Sequence, residues 1–70
     1  MNSTELVTVR TIDLMPGDIV HFAGIVDRVI KVGHDDHIAW VDCDRLLPEA
    51  KGIRWYAGID STQEIERRKE

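Results

Sequence analysis

Valine and isoleucine recur at short range along this chain with no sustained helical period, which predicts a series of short strands. Leu6–Ile12 opens the pattern, with Val7 and Val9 alternating with Thr8 and Arg10. Ile19–Phe22 follows as a second strand and ends at Ala23-Gly24. In Ile25–Val32, one face carries Val26, Arg28, Ile30 and Val32, and the other carries Ile25, Asp27, Val29 and Lys31. Neither face is cleanly polar, so a bulge or a strong bend is expected there. Gly33–Asp36 supply turn residues, and His37–Asp42 resume a strand through Ile38, Trp40 and Val41. Two such runs around a cluster of turn formers read as a hairpin. The stretch from Asp42 to Gly52, "DCDRLLPEAKG", reads as a loop. Pro48 breaks any ladder, Gly52 allows a reversal, and Leu46 and Leu47 are expected to tuck inward. Ile53–Ala57 is a further short strand.

Two segments are read from turn and capping chemistry. In "DLMPGD", Asp13–Asp18, Pro16 presets φ for the second position of a tight turn and Gly17 tolerates the positive φ that a type II turn needs next. Asp18 is placed to bond back to the turn amides. The tail "DSTQEIERRKE" fits a capped helix, through Ser61 with Glu64 and the Glu64–Arg68 spacing. Yet it holds one apolar side chain, Ile65, and a helix that short has no stripe with which to dock. A strand with Ile65 inward and Glu64 and Glu66 outward is the preferred reading, with a short helix as the alternative. Such a strand would cover an exposed sheet edge.

The totals narrow the class. Seventy residues make one domain, 1–70, with a modest core. Thirteen acidic against nine basic side chains give a net charge of −4, which disfavours non-specific attraction to nucleic acid. Cys43 is the one cysteine, so no intrachain disulfide can form and a reducing cytoplasm is the expected compartment. The start "MNSTELVTVR" lacks the features of a signal peptide. No segment approaches the roughly 20 apolar residues of a membrane-spanning helix, so no membrane partner is expected.

The predicted fold is all-β: a small, partly open barrel of five or six short strands. Asp13, Leu14, Pro16, Gly17, Asp18 and Val20, followed much later by Asp60, Glu64, Ile65 and Glu66, carry a resemblance to small SH3-like barrel proteins of actinobacterial bacteriophages. The resemblance covers most of the chain and implies the SH3-like fold and a phage origin, with the host cytoplasm as its setting. It implies no activity. Arg67 departs from the pattern, where an apolar residue would be expected.

Candidate chemistry is sparse. His34 and His37 flank Asp35 and Asp36 at the hairpin tip, but zinc needs three or four converging ligands. Cys43 lies roughly 20 Å from His37 along a straight strand, so a solvated turn is preferred and no metal or cofactor is expected. Asp42 and Asp44 flank Cys43 and oppose thiolate formation, the reverse of what a nucleophilic cysteine needs. No catalytic triad, nucleophile elbow or phosphate loop is present, so no catalytic residue is assigned. Arg54, Trp55 and Tyr56 in succession, with Trp40, are instead the expected partner-binding residues, because Trp, Tyr and Arg dominate interface hot spots. Either Trp55 is core and Arg54 with Tyr56 faces outward, or the reverse. The expected function is a non-enzymatic module docking a protein partner, a phage accessory protein, with self-association through open strand edges as a further option. A nucleic-acid-binding barrel, using the same aromatics with Arg67, Arg68 and Lys69, is the alternative.

Overall fold

The computed structural model describes residues 3–69, and the side chains of residues 4–67. Six strands follow one another: β1 (Ser3–Arg10), β2 (Ile19–Phe22), β3 (Ile25–His34), β4 (Ile38–Leu47), β5 (Glu49–Gly58) and β6 (Thr62–Lys69). All six pair antiparallel in one sheet of order β1-β6-β2-β3-β4-β5. The all-β expectation holds, and so does the strand in the tail, where Ile65 is buried. That strand takes a different place from the one expected. It does not cover an outer edge; it lies between β1 and β2, and the sheet still ends at β1 and β5.

The core shows that this sheet is curled. Val20, Val29, Val41 and Ile65 form its buried centre with Leu14, and Val7 from β1 and Trp55 from β5 pack against it. Five strand spacings separate β1 from β5 in the sheet order, which would be about 24 Å in a flat sheet. Both edges reach one cluster only because the sheet bends round it.

Local chemistry sets the corners. Asp18 N donates to Met15 O at 3.0 Å across Pro16-Gly17, and Gly17 has φ +94, so the turn is the type II turn expected. The Asp18 carboxylate accepts from Met15 N at 2.8 Å, and Gly17 N donates to Val29 O at 2.8 Å, fastening the turn to β3. Ala23 and Gly24 both take positive φ, 49 and 84, which makes the β2–β3 connection a two-residue hairpin turn of the primed kind. At the "GHDDH" tip, His34 already belongs to β3, and Asp35 Oδ1 accepts from His37 N and Ile38 N at 2.7 and 2.8 Å. These two amides hold the Asp35 carboxyl below its ordinary pKa.

The bulge expected in β3 is present. Val29 pairs with Cys43 and Lys31 with Asp42, so Ile30 is the extra residue. Ile25, Asp27 and Val29 face inward before it and Val32 after it, which is why neither sequence face looked cleanly polar.

Three further expectations about the ends of strands need correction. Residues 42–52 are not a loop: β4 runs through Leu47, β5 begins at Glu49, and the Leu47-Pro48 peptide between them is cis. A second bulge, at Lys51-Gly52 with Gly52 at φ +69, lets the two strands stay paired. Leu46 and Leu47 do not tuck inward; they are 42% and 59% exposed. β1 ends at Arg10, and Thr11–Asp13 form a 3-10 turn rather than continuing it. The reason is a polar chain, Gln63 Nε2 to Thr11 Oγ1 to Ser61 Oγ to Gly58 O, at 3.2, 2.7 and 2.6 Å. It satisfies the fully buried Thr11 hydroxyl and ties the start of β6 to the end of β1.

Candidate functional site: an aromatic face and an inner cleft

The cross-strand register of β4 and β5 sorts the predicted partner-binding residues onto two faces. Trp40 pairs with Tyr56, Val41 with Trp55, and Asp42 with Arg54. Directly opposed residues share a face and neighbours along a strand do not. Trp40, Tyr56, Asp42 and Arg54 therefore lie together on the outer face, and Trp55 lies inside with Val41. The first of the two orientations considered for Trp55 is the one found.

On the outer face, Arg54 clasps Asp42 through two bonds, Nε to Oδ1 at 2.6 Å and Nη2 to Oδ2 at 2.9 Å. The pair shifts both groups: Arg54 holds the Asp42 carboxyl down, and Asp42, helped by the Tyr56 hydroxyl, holds the Arg54 guanidinium up. Tyr56 is 61% exposed. Trp40 is half-buried because its ring lies over Gly33, its partner on β3. A Cβ at Gly33 would meet Trp40 Nε1, Cε2 and Cζ2 at 2.4, 2.5 and 2.6 Å. Gly33 is thus the seat of the indole and not a turn residue as expected.

The inner face opens into a cleft of about 360 Å³. Phe22, Ile25 and Asp27 from the β2–β3 hairpin line one part, Trp55 and Ala57 of β5 another, and Arg45 and Gln63 complete it, with Tyr56 also bordering it. Asp27 is 5% exposed, and Arg45 holds it through two bonds at 2.8 and 3.2 Å. Asp27 in turn raises the Arg45 pKa. This ion pair, and Phe22 at 69% exposure, were not singled out from sequence. The signal was there in Asp27, an acid at an inward position of β3, which demands a cation within reach.

Beside the cleft, the Cys43 thiol is fully buried and its pKa is pushed up to about 11, by burial and then by the Asp27 charge. A thiol so placed stays protonated at neutral pH, as a structural cysteine does. The Trp55 Nε1 atom is buried without a hydrogen-bond partner. His34 and His37 remain at the far tip, where His34 Nδ1 lies 3.1 Å from Asp35 O. Among the described residues no three His, Cys, Asp or Glu side chains gather to hold a metal ion, and no helix is long and apolar enough to cross a membrane. Neither a family model, nor a curated protein, nor a solved structure matches the chain.

Proposed function

We propose that this chain is a non-enzymatic binding module on an SH3-like, partly open barrel, docking a protein partner through Trp40, Arg54 and Tyr56. The observation that carries this reading is their juxtaposition: two aromatic rings and a guanidinium in alternate cross-strand pairs on one outer face. Rings held on a sheet lose little freedom on binding, and the Asp42 clasp fixes the guanidinium in advance. Trp55 acts from inside, by setting the shape of β5. The resemblance to actinobacterial phage proteins makes a phage accessory role in the host cytoplasm the natural setting.

The charge pattern favours a protein over a nucleic acid. Arg54 is matched by Asp42, Arg45 by Asp27, Arg28 by Asp44 at 3.7 Å, and Arg10 by Asp13 at 3.3 Å. Arginines so neutralised have little left for phosphates on an acidic chain. The test is capture from nuclease-treated host lysate by wild type, Tyr56→Ala and Arg54→Ala side by side. A partner held by wild type and weakened at least tenfold by each substitution is expected. A partner retained equally by all three removes the patch, and a salt-sensitive gel shift with nucleic acid would turn the reading to the alternative.

A further inference from the structure

We infer that β5 pairs edge to edge with β5 of a second copy, antiparallel and two-fold, with Arg54 opposite the partner's Tyr56. β5 closes the strand order and so has a strand on one side only. Which of its backbone groups are free follows from one bond. Ile59 N donates to His37 O at 3.0 Å, and the same register runs unbroken from Ile38 with Gly58 to Cys43 with Ile53. Directly bonded pairs alternate along an antiparallel ladder. Ile53, Trp55 and Ala57 therefore bond to β4, while Arg54, Tyr56 and Gly58 turn their N–H and C=O toward the open side. The Gly58 carbonyl already accepts from Ser61 N at 3.0 Å and Ser61 Oγ at 2.6 Å. Arg54 and Tyr56 remain, two residues apart, each with a donor and an acceptor.

That spacing is self-complementary. A continuous sheet keeps inner faces together, so opposed residues must share a face. Setting Arg54 against Arg54 puts Tyr56 opposite Gly52, which sits in the bulge with its N–H already donated to Asp44 Oδ1 at 3.4 Å. Setting Tyr56 against Tyr56 puts Arg54 opposite Gly58, whose carbonyl is taken. Setting Arg54 against the partner's Tyr56 satisfies both residues of both copies, four backbone bonds in all. It also stacks each guanidinium on a phenol ring outside and brings the two Trp55 rings together inside. The other edge is guarded. In β1 the charged Glu5 shares the inward phase of Val7 and Val9, a device that discourages edge pairing. At the corresponding inward positions β5 offers Ile53, Trp55 and Ala57. The pairing would join the two aromatic faces into one strip. It rests on backbone groups, so it stands or falls separately from the partner proposed above.

Sedimentation of the full chain over a wide concentration range should show a monomer–dimer equilibrium. Arg54→Pro and Tyr56→Pro each delete an open-side N–H without touching the β4 ladder, and both should sediment as monomers with unchanged circular dichroism. To read the register, Arg54→Cys and Tyr56→Cys chains are oxidised separately and as a mixture. A disulfide formed only in the mixture is expected. A wild-type chain that stays monomeric throughout overturns the inference and leaves the edge to an extended segment of another protein. Proline variants that remain dimeric, or a Tyr56→Cys chain that cross-links to itself, also overturn it.

Discussion

The two faces of the β4–β5 region carry the same equipment in different surroundings. Inside are Trp55 and an Arg45–Asp27 clasp whose side chains are 23% and 6% exposed; outside are Trp40 and an Arg54–Asp42 clasp at 49% and 28%. Bond geometry is nearly the same in both clasps. What differs is the water. In the inner pair the Asp27 carboxylate is shielded, so losing Arg45 strands a charge in a poor solvent, whereas the outer pair leaves both groups able to hydrate. A short contact distance thus says little about energetic weight until burial is known.

Removing the two tryptophans should break the symmetry most visibly. Trp55→Ala empties the inner face beside Val41 and should cost about 3 to 4 kcal/mol in chemical unfolding. Trp40→Ala, which uncovers Gly33 at the surface, should cost less than half as much. Equal losses would mean that the two indoles are buried alike.

The acids give the next largest contrast. Asp27→Ala should lower the thermal midpoint clearly, because Arg45 loses both of its bonds and the inner face loses its one buried carboxylate among the described residues. Asp42→Ala should shift the thermal midpoint several-fold less, and added salt should shrink that shift further. For the outer acid the sign with pH follows from its lowered folded pKa: the stabilisation is present above the unfolded value, near 3.8, and is lost as pH falls through the folded value.

Gly33→Ala sharpens the outer face alone. The new Cβ displaces the Trp40 ring, with an expected cost of about 1 to 2 kcal/mol and a red-shifted tryptophan emission. Combined with Trp40→Ala, the same substitution should be neutral or mildly stabilising, since alanine is then the better strand residue. A cost that persists in the double variant would place the clash elsewhere.

The last effect is silent at neutral pH. The folded Cys43 thiol has its pKa raised from about 9 to about 11. Its contribution is therefore complete below pH 9 and is lost as pH rises through about 11. Unfolding midpoints measured across that window should fall in wild type and fall less in Cys43→Ala. Matching slopes would show the thiol to be solvated.

How much of this was legible depends on how far each signal reaches along the chain. The Pro16-Gly17 turn, the irregularity in β3 and the existence of the "GHDDH" hairpin are set by residues within a few positions of one another and were read from them, whereas Ala23-Gly24 was read only as a strand end and Gly33 as part of the tip. The Asp42–Gly52 stretch was misread because Pro48 and Gly52 look like loop residues whether they end a ladder or punctuate a bulged hairpin. Leu46 and Leu47 were assigned inward on hydrophobicity alone, and the register puts them at the surface. Arg54, Tyr56 and Trp40 were chosen by residue type, and that they share a face while Trp55 does not came from pairing across β4 and β5.

The sequence by itself determined the strand character of the chain and its tight turns, because β-branching, proline and glycine act locally. Only the tertiary structure decided that β6 runs between β1 and β2, that Asp27 meets Arg45, and which strands are left as edges. Those outcomes turn on contacts as far as 66 residues apart in the chain, as between Ser3 and Lys69. Nothing in a local alternation of side chains specifies which distant strand will supply the other half of a ladder.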